Sequence, residues 1–192
     1  MTFIEEGIVG CWAVFALVWI MTSFFAKETT RRQSPRDLFF YWLPLVVGAW
    51  LIFNGFSRAH YPWGLGMYLT PGSAPFAWLG FLIVLVGLML ALWARFTLGR
   101  NWSSTVVVKQ NHELVTSGPY AYVRHPIYTA FILMFLGSAL WLGTLAALIG
   151  VVLVVVSCWI KLLQEETFMR AQFPEAYPAY ERRVKRLIPF VL

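Results

Sequence analysis

Arg124 and His125 stand immediately before Pro126. Proline suits the first turn of a helix, and a helix start offers unpaired N–H groups and the positive end of its dipole. The pair is therefore a candidate anion site. The same residues also read as a charge anchor at a membrane surface and a helix cap. A second block, Gln164-Glu165-Glu166, sets two carboxylates side by side. Adjacent carboxylates suit ribose hydroxyls or a cationic ligand, and equally suit plain solvation. The third block, FPEAYPAYERRVKRLIPF, combines tyrosines with Arg182, Arg183, Lys185 and Arg186. Taken alone it is a basic amphipathic helix for a lipid surface.

The elements that position these blocks are apolar. Gly7–Ala26, Leu38–Ser57, Ser73–Ala94 and Pro126–Ile160 contain no Asp, Glu, Lys or Arg. A helix crosses the bilayer's hydrocarbon core with about 20 apolar residues. The last run has 35 residues, about 52 Å as one helix and too long for one crossing. Leu142-Gly143-Thr144 is its natural break. The reading is an all-α integral membrane protein of five transmembrane helices, about 7–26, 38–57, 73–94, 126–142 and 144–161. The last two form a tight helical hairpin, packed through Gly137, Ser138, Ala139, Ala146, Ala147 and Gly150. Whether that hairpin crosses fully or stays shallow is open at this level, since charge bias is the same for both.

Fourteen of the fifteen Lys and Arg fall on one side of this plan, and only Arg58 falls on the other. By the positive-inside rule the first and third connections and the C-terminus are cytoplasmic and the N-terminus is outside. The membrane is a bacterial inner or an ER-type one. The polar chemistry must then lie in 95–125 and 162–192, the cytoplasmic catalytic segments of a single membrane domain, 1–192. With 59% hydrophobic and 12% charged residues, a soluble fold is excluded. Sidedness explains the +6 charge better than nucleic-acid binding does, and anionic lipid attraction follows from it. Glu5 and Glu6 before the first apolar segment, with no basic n-region, mark a retained helix rather than a signal peptide. Cys11 and Cys158 read as small packing residues. Trp12, Trp19, Trp42, Trp63 and Trp141 read as interfacial anchors or packing. His60 lies in an outer turn rich in Gly and Pro. Within the third connection, a strand-like Thr105–Val108 leads to Lys109-Gln110-Asn111-His112 and then to a Gly118-Pro119 turn.

Gly118-Pro119-Tyr120 and Arg124-His125-Pro126-x-Tyr128 come in order with Glu165-Glu166. Phe173…Tyr177…Tyr180…Arg183-Val184…Ile188-Pro189 then follow. Together these blocks resemble the isoprenylcysteine carboxyl methyltransferases, members of a wider group of integral membrane methyltransferases that includes phospholipid N-methyltransferases. Leu98-Gly99-x-Asn101-Trp102 extends the match, so that it covers about residues 95–192. The resemblance implies a cytoplasm-facing pocket for S-adenosylmethionine, built from the third connection, the final hairpin and the tail. Matched position by position, His112, Glu113, Leu114 and Val115 contact the cofactor, as do Tyr120 and His125-Pro126-Ile127-Tyr128. Glu165 and Glu166 are the paired acids near the cofactor, with Glu166 also a candidate catalytic group. Arg183 orients the methyl acceptor. Lys109 falls near a further cofactor position where other members carry Gln, and the loop here is shorter.

These residue types suit methyl transfer, in which the catalyst mainly aligns donor and acceptor and excludes water. A carboxylate acceptor needs no strong base at neutral pH, and a guanidinium fits it in bidentate geometry. An amine acceptor must instead lose a proton, with Glu165, Glu166 or His125 as bases. The expected function is methylation of a carboxylate on a lipidic, isoprenylcysteine-like substrate, with no metal, nucleic acid or obligate protein partner. Alternatives are a phospholipid or small hydrophobic amine as acceptor, an NADPH-dependent membrane reductase with a similar RHPxY tail, and a non-enzymatic membrane protein. The spans carry no ionisable residues, which argues against an ion transporter.

Overall fold

In lipid only a helix satisfies its own backbone, and the apolar stretches fold accordingly. The computed structural model describes residues 2–24, 35–56, 64–70, 74–99 and 114–191. It contains helices α1 (Thr2–Ser23), α2 (Pro35–Phe56), α3 (Ala74–Leu98), α4 (Pro126–Leu142), α5 (Leu145–Gln172) and α6 (Ala176–Arg183). Among the described residues there is no strand, only two isolated bridges. Phe3–Ser23, Ala74–Leu98 and Leu145–Gln172 are long and apolar enough to cross a membrane, while Leu38–Asn54 and Pro126–Leu142 are apolar but shorter. The strand-like run at 105–108 and His60 lie outside the described residues.

The break after α4 rests on two residues. Gly143 takes a left-handed backbone (φ 67) and its N–H donates to the Ala139 carbonyl at 2.8 Å. The Thr144 hydroxyl then accepts from the Ala147 N–H at 3.3 Å and caps α5. The turn is pinned to the connection between α2 and α3. Leu69 N–H donates to the Gly143 carbonyl (2.7 Å), and Leu145 N–H to Met67 (2.9 Å).

The last two helices touch across that turn, but α4 lies chiefly on α3 and α5 chiefly on α2, and Gly137 and Gly150 serve those contacts. A Cβ on Gly80 would sit 2.6 Å from the Gly137 carbonyl oxygen, and one on Gly48 would sit 2.6 Å from that of Gly150. Glycine lets these backbones approach where any side chain would hold them apart. Trp12 is a packing residue: its ring meets Phe15, Phe53, Phe131 and Phe135, and its N–H donates to the Ser138 hydroxyl at 3.0 Å.

The fifth helix also departs from expectation. It does not end near 161 but continues through Glu165 and Glu166 to Gln172, because Lys, Leu, Gln, Glu, Met and Arg all favour helix. Its 28 residues reach about 42 Å, so the polar turns project beyond the apolar stretch. The first helix likewise starts earlier than expected and takes Glu5 into its first turn, where a carboxylate suits the dipole.

Candidate active site

The site begins with a tight turn. Gly118 (φ 59) opens a short 3-10 turn, Gly118–Ala121, with Pro119 in its first positions. Tyr120 is buried there, and its carbonyl accepts from the Tyr180 hydroxyl of α6 at 2.6 Å. Burial pushes the Tyr120 phenol well up, with Glu165 and Tyr180 adding to the effect, so it remains a neutral ring. Arg124 and His125 follow, buried, at the start of α4. The tail runs alongside them: Arg124 N–H donates to the Lys185 carbonyl (2.7 Å) and His125 N–H to that of Arg186 (3.0 Å). The Thr129 hydroxyl donates to the Leu187 carbonyl at 2.7 Å. This register sets Arg186 opposite His125.

Glu166 closes the arrangement. Its side chain is fully buried, yet it is ringed by cations. Arg124 reaches Oε1 through Nε (3.0 Å) and Nη2 (2.6 Å). Arg186 reaches Oε2 through Nε (3.0 Å) and Nη2 (2.9 Å), and Arg170 lies at 3.4 Å. Burial pushes the Glu166 carboxyl up, but hydrogen bonds from His125, Arg186 and Arg124 outweigh it and hold it well below the usual carboxylate range. A carboxylate held that low is a poor proton acceptor. Arg124 further donates to the Val184 (2.6 Å) and Glu181 (3.1 Å) carbonyls, so one guanidinium joins α4, α5 and α6.

Consecutive helical residues point about 100° apart, and the two acids divide accordingly. Glu165 keeps 23% of its side chain exposed, accepts from the Tyr128 hydroxyl and lies 3.7 Å from His125 Nδ1. His125 Nε2 lies 3.4 Å from Glu166, so the ring stands between the two carboxylates. The His125 and Tyr128 rings stack, with centroids 5.5 Å apart. Lys161, one turn before Glu165, sits over the Tyr128 and Tyr41 rings at 5.7 and 5.3 Å.

Tyr120, His125, Pro126, Tyr128, Glu165 and Glu166 are thus brought together. Ile127 is half-buried in the first turn of α4, and Leu114 and Val115, also half-buried, precede the Gly118 turn. Lys109, His112 and Glu113 lie outside the described residues. Arg183, at the end of α6, is exposed and makes no ion pair among the described residues. Sequence reasoning missed Arg186, Arg170 and Tyr180 as partners. Nothing in the run ERRVKR singles out one arginine, and only the pairing of the tail with residues 124 and 125 does so.

A model of the phospholipid methyltransferase family matches residues 76–176, from α3 to the start of α6. The chain is 34% identical over 116 residues to a protein-S-isoprenylcysteine O-methyltransferase of Schizosaccharomyces pombe, covering 59% of this chain and 48% of that one. It is 28% identical to protein-S-isoprenylcysteine O-methyltransferase B of Arabidopsis thaliana, covering 63% and 64% of the two chains. It is 31% identical to a cobalt-zinc-cadmium resistance protein of Cupriavidus metallidurans, covering 58% and 51%. The chain thus spans about half to two thirds of the length of these relatives. The matched segment holds Tyr120, the Arg124-His125-Pro126 block and both glutamates. With three helices among the described residues able to cross a bilayer and over half its length matched by the family model, this chain is a membrane protein belonging to the phospholipid methyltransferase family.

Proposed function

We propose that the protein is an integral membrane methyltransferase that uses S-adenosylmethionine and methylates a carboxylate on a lipidic, isoprenylcysteine-like acceptor. The observation that carries the reading is the face formed by His125, Tyr128 and Glu165 above the buried Glu166 clasp. Its donor set fits the cofactor. Stacked rings suit a purine, and the part-exposed Glu165 suits ribose hydroxyls or an ammonium. When bound, the cofactor supplies an electrophilic methyl group on a sulfonium. The chain's residues orient and desolvate: Tyr120 and Tyr128 wall off water, and Glu166 holds Arg124 and the tail in register with His125. By the resemblance, Leu114 and Val115, with Lys109, His112 and Glu113, add further cofactor contacts, and Arg183 meets the acceptor carboxylate. The acceptor's chemistry rests on the relatives named for isoprenylcysteine; an amine acceptor is the second reading, favoured by the family model's own name.

All five apolar helices, the two shorter ones included, cross the membrane in this reading, with the N-terminus outside and the C-terminus cytoplasmic. The hydrogen bonds from the α4–α5 turn to residues 65–69 support it, because that connection follows α2 across the bilayer. The cofactor face lies at the opposite, basic side.

Calorimetric titration of S-adenosylhomocysteine into the detergent-purified protein, with NADPH alongside, tests the function. Micromolar-range binding of the first alone is expected. Binding of NADPH alone moves the protein to the reductases, and binding of neither removes the enzymatic reading.

A further inference from the structure

Beside α6, a groove of about 470 Å³ is lined by Arg124, Glu181, Arg182, Lys185, Arg186 and Val191. None of His125, Tyr128 or Glu165 lines it. Its charges do not balance. Glu181 is engaged by Arg170 at 2.6 Å and Arg124 at 3.5 Å, while Arg124 and Arg186 are engaged by Glu166. Arg182 and Lys185 are exposed and form no ion pair among the described residues. The groove therefore presents two uncompensated cations and no uncompensated carboxylate.

The chain beside it turns apolar. Ile188, Phe190 and Val191 are 51%, 91% and 71% exposed, and Phe190 holds a left-handed backbone (φ 66) that side chains other than glycine rarely adopt. Val191 belongs to the groove wall, so the cationic and apolar surfaces are continuous. Water disfavours such a tail, but the bilayer interface accommodates it, with Lys and Arg level with the phosphates and the apolar side chains one layer deeper. Glu181 on the groove wall pairs with Arg170 in the last turns of α5, beyond that helix's apolar stretch, so the groove adjoins the polar end of the helix.

We infer that this groove holds the phosphodiester headgroup of an anionic phospholipid from the surrounding bilayer, with Ile188, Phe190 and Val191 against its acyl region. A zwitterionic headgroup fits worse, because Glu181 is already neutralised and nothing meets the choline or ethanolamine cation. A free phosphate leaves the apolar tail uncovered. The site is separate from the methyl-transfer face and does not depend on the acceptor.

The test uses the full-length chain, delipidated in detergent and titrated with short-chain phosphatidylglycerol, the matching phosphatidylcholine, or sodium phosphate, with bound lipid counted by native mass spectrometry. Phosphatidylglycerol is expected to remain bound and to resist displacement by sodium phosphate. The double variant Arg182→Gln, Lys185→Gln is expected to lose roughly tenfold or more in affinity, since each cation near a lipid surface contributes appreciably. Equal retention by the double variant, equal binding of phosphatidylcholine, or displacement by sodium phosphate overturns the inference. If the double variant unfolds early, the wild-type protein decides: retention of phosphatidylglycerol must weaken steeply towards about 1 M salt, where surface charges are screened. Retention insensitive to salt sinks the idea.

Discussion

Arg124 and Glu166 meet at 2.6 Å with 6% and 0% of their side chains exposed, one at the start of α4 and the other in the last turns of α5. Removing the carboxylate strands Arg124 and Arg186 together. Breaking a buried pair from one side typically costs about 3–5 kcal/mol. Glu166→Ala is therefore expected to lower the unfolding temperature sharply and to expose the bonds after Arg182 and Lys185 to trypsin. An unchanged melting curve and an unchanged digestion pattern would show that the clasp does not hold the tail.

The same carboxylate sets an acid limit. Its folded pKa lies below the usual range, so its contribution to stability is complete above the unfolded value of about 4.3. That contribution is lost as pH falls from there through the folded value. Melting temperature recorded from neutral pH downwards should begin to fall below about pH 4, and Glu166→Gln should lack this slope. Parallel curves for the two proteins would refute the assignment.

The helix contacts predict a different sensitivity. A Cβ at Gly137 would stand 2.5 Å from the Gly80 carbonyl oxygen, whereas one at Gly10 meets nothing within 4 Å. Gly137→Ala is expected to cost about 1–3 kcal/mol by overpacking, and Gly10→Ala should leave thermal stability nearly unchanged. Equal effects at the two positions would mean that α3 and α4 are not in close contact there.

Donor binding and acceptor binding should separate by residue. His125→Ala and Glu165→Gln are expected to weaken S-adenosylhomocysteine binding by roughly tenfold or more, as loss of a hydrogen bond to a charged group implies. Arg183→Ala should bind it like wild type and turn over at least roughly tenfold more slowly. Calorimetry with a methyl-transfer assay reads both, and wild-type binding by all three variants would remove the site.

Local pattern made some of this legible and long-range pairing hid the rest. Proline at 126 and glycine at 143 mark the ends of α4 because each acts through its own backbone. The extension of α5 was concealed by its change of character: polarity ends the membrane stretch but not the helix. The Gly80–Gly137 and Gly48–Gly150 contacts join residues on helices far apart in sequence, whereas composition set Gly137 and Gly150 against each other's helix. The acids at 165 and 166 were identifiable as a pair, but their division between an open face and a buried clasp depends on helix rotation against α4 and on Arg186.

Because Arg124 precedes Glu166 by 42 positions and Glu166 precedes Arg186 by 20, the clasp has a birth order. A ribosome delivers Arg124 and His125 before either partner exists. α5 must insert to present Glu166, and residue 186 must emerge before the carboxylate is fully neutralised. The clasp beside His125 thus closes only after synthesis has passed the tail, and a nascent chain halted before that point carries Arg124, His125 and Glu166 without their third partner.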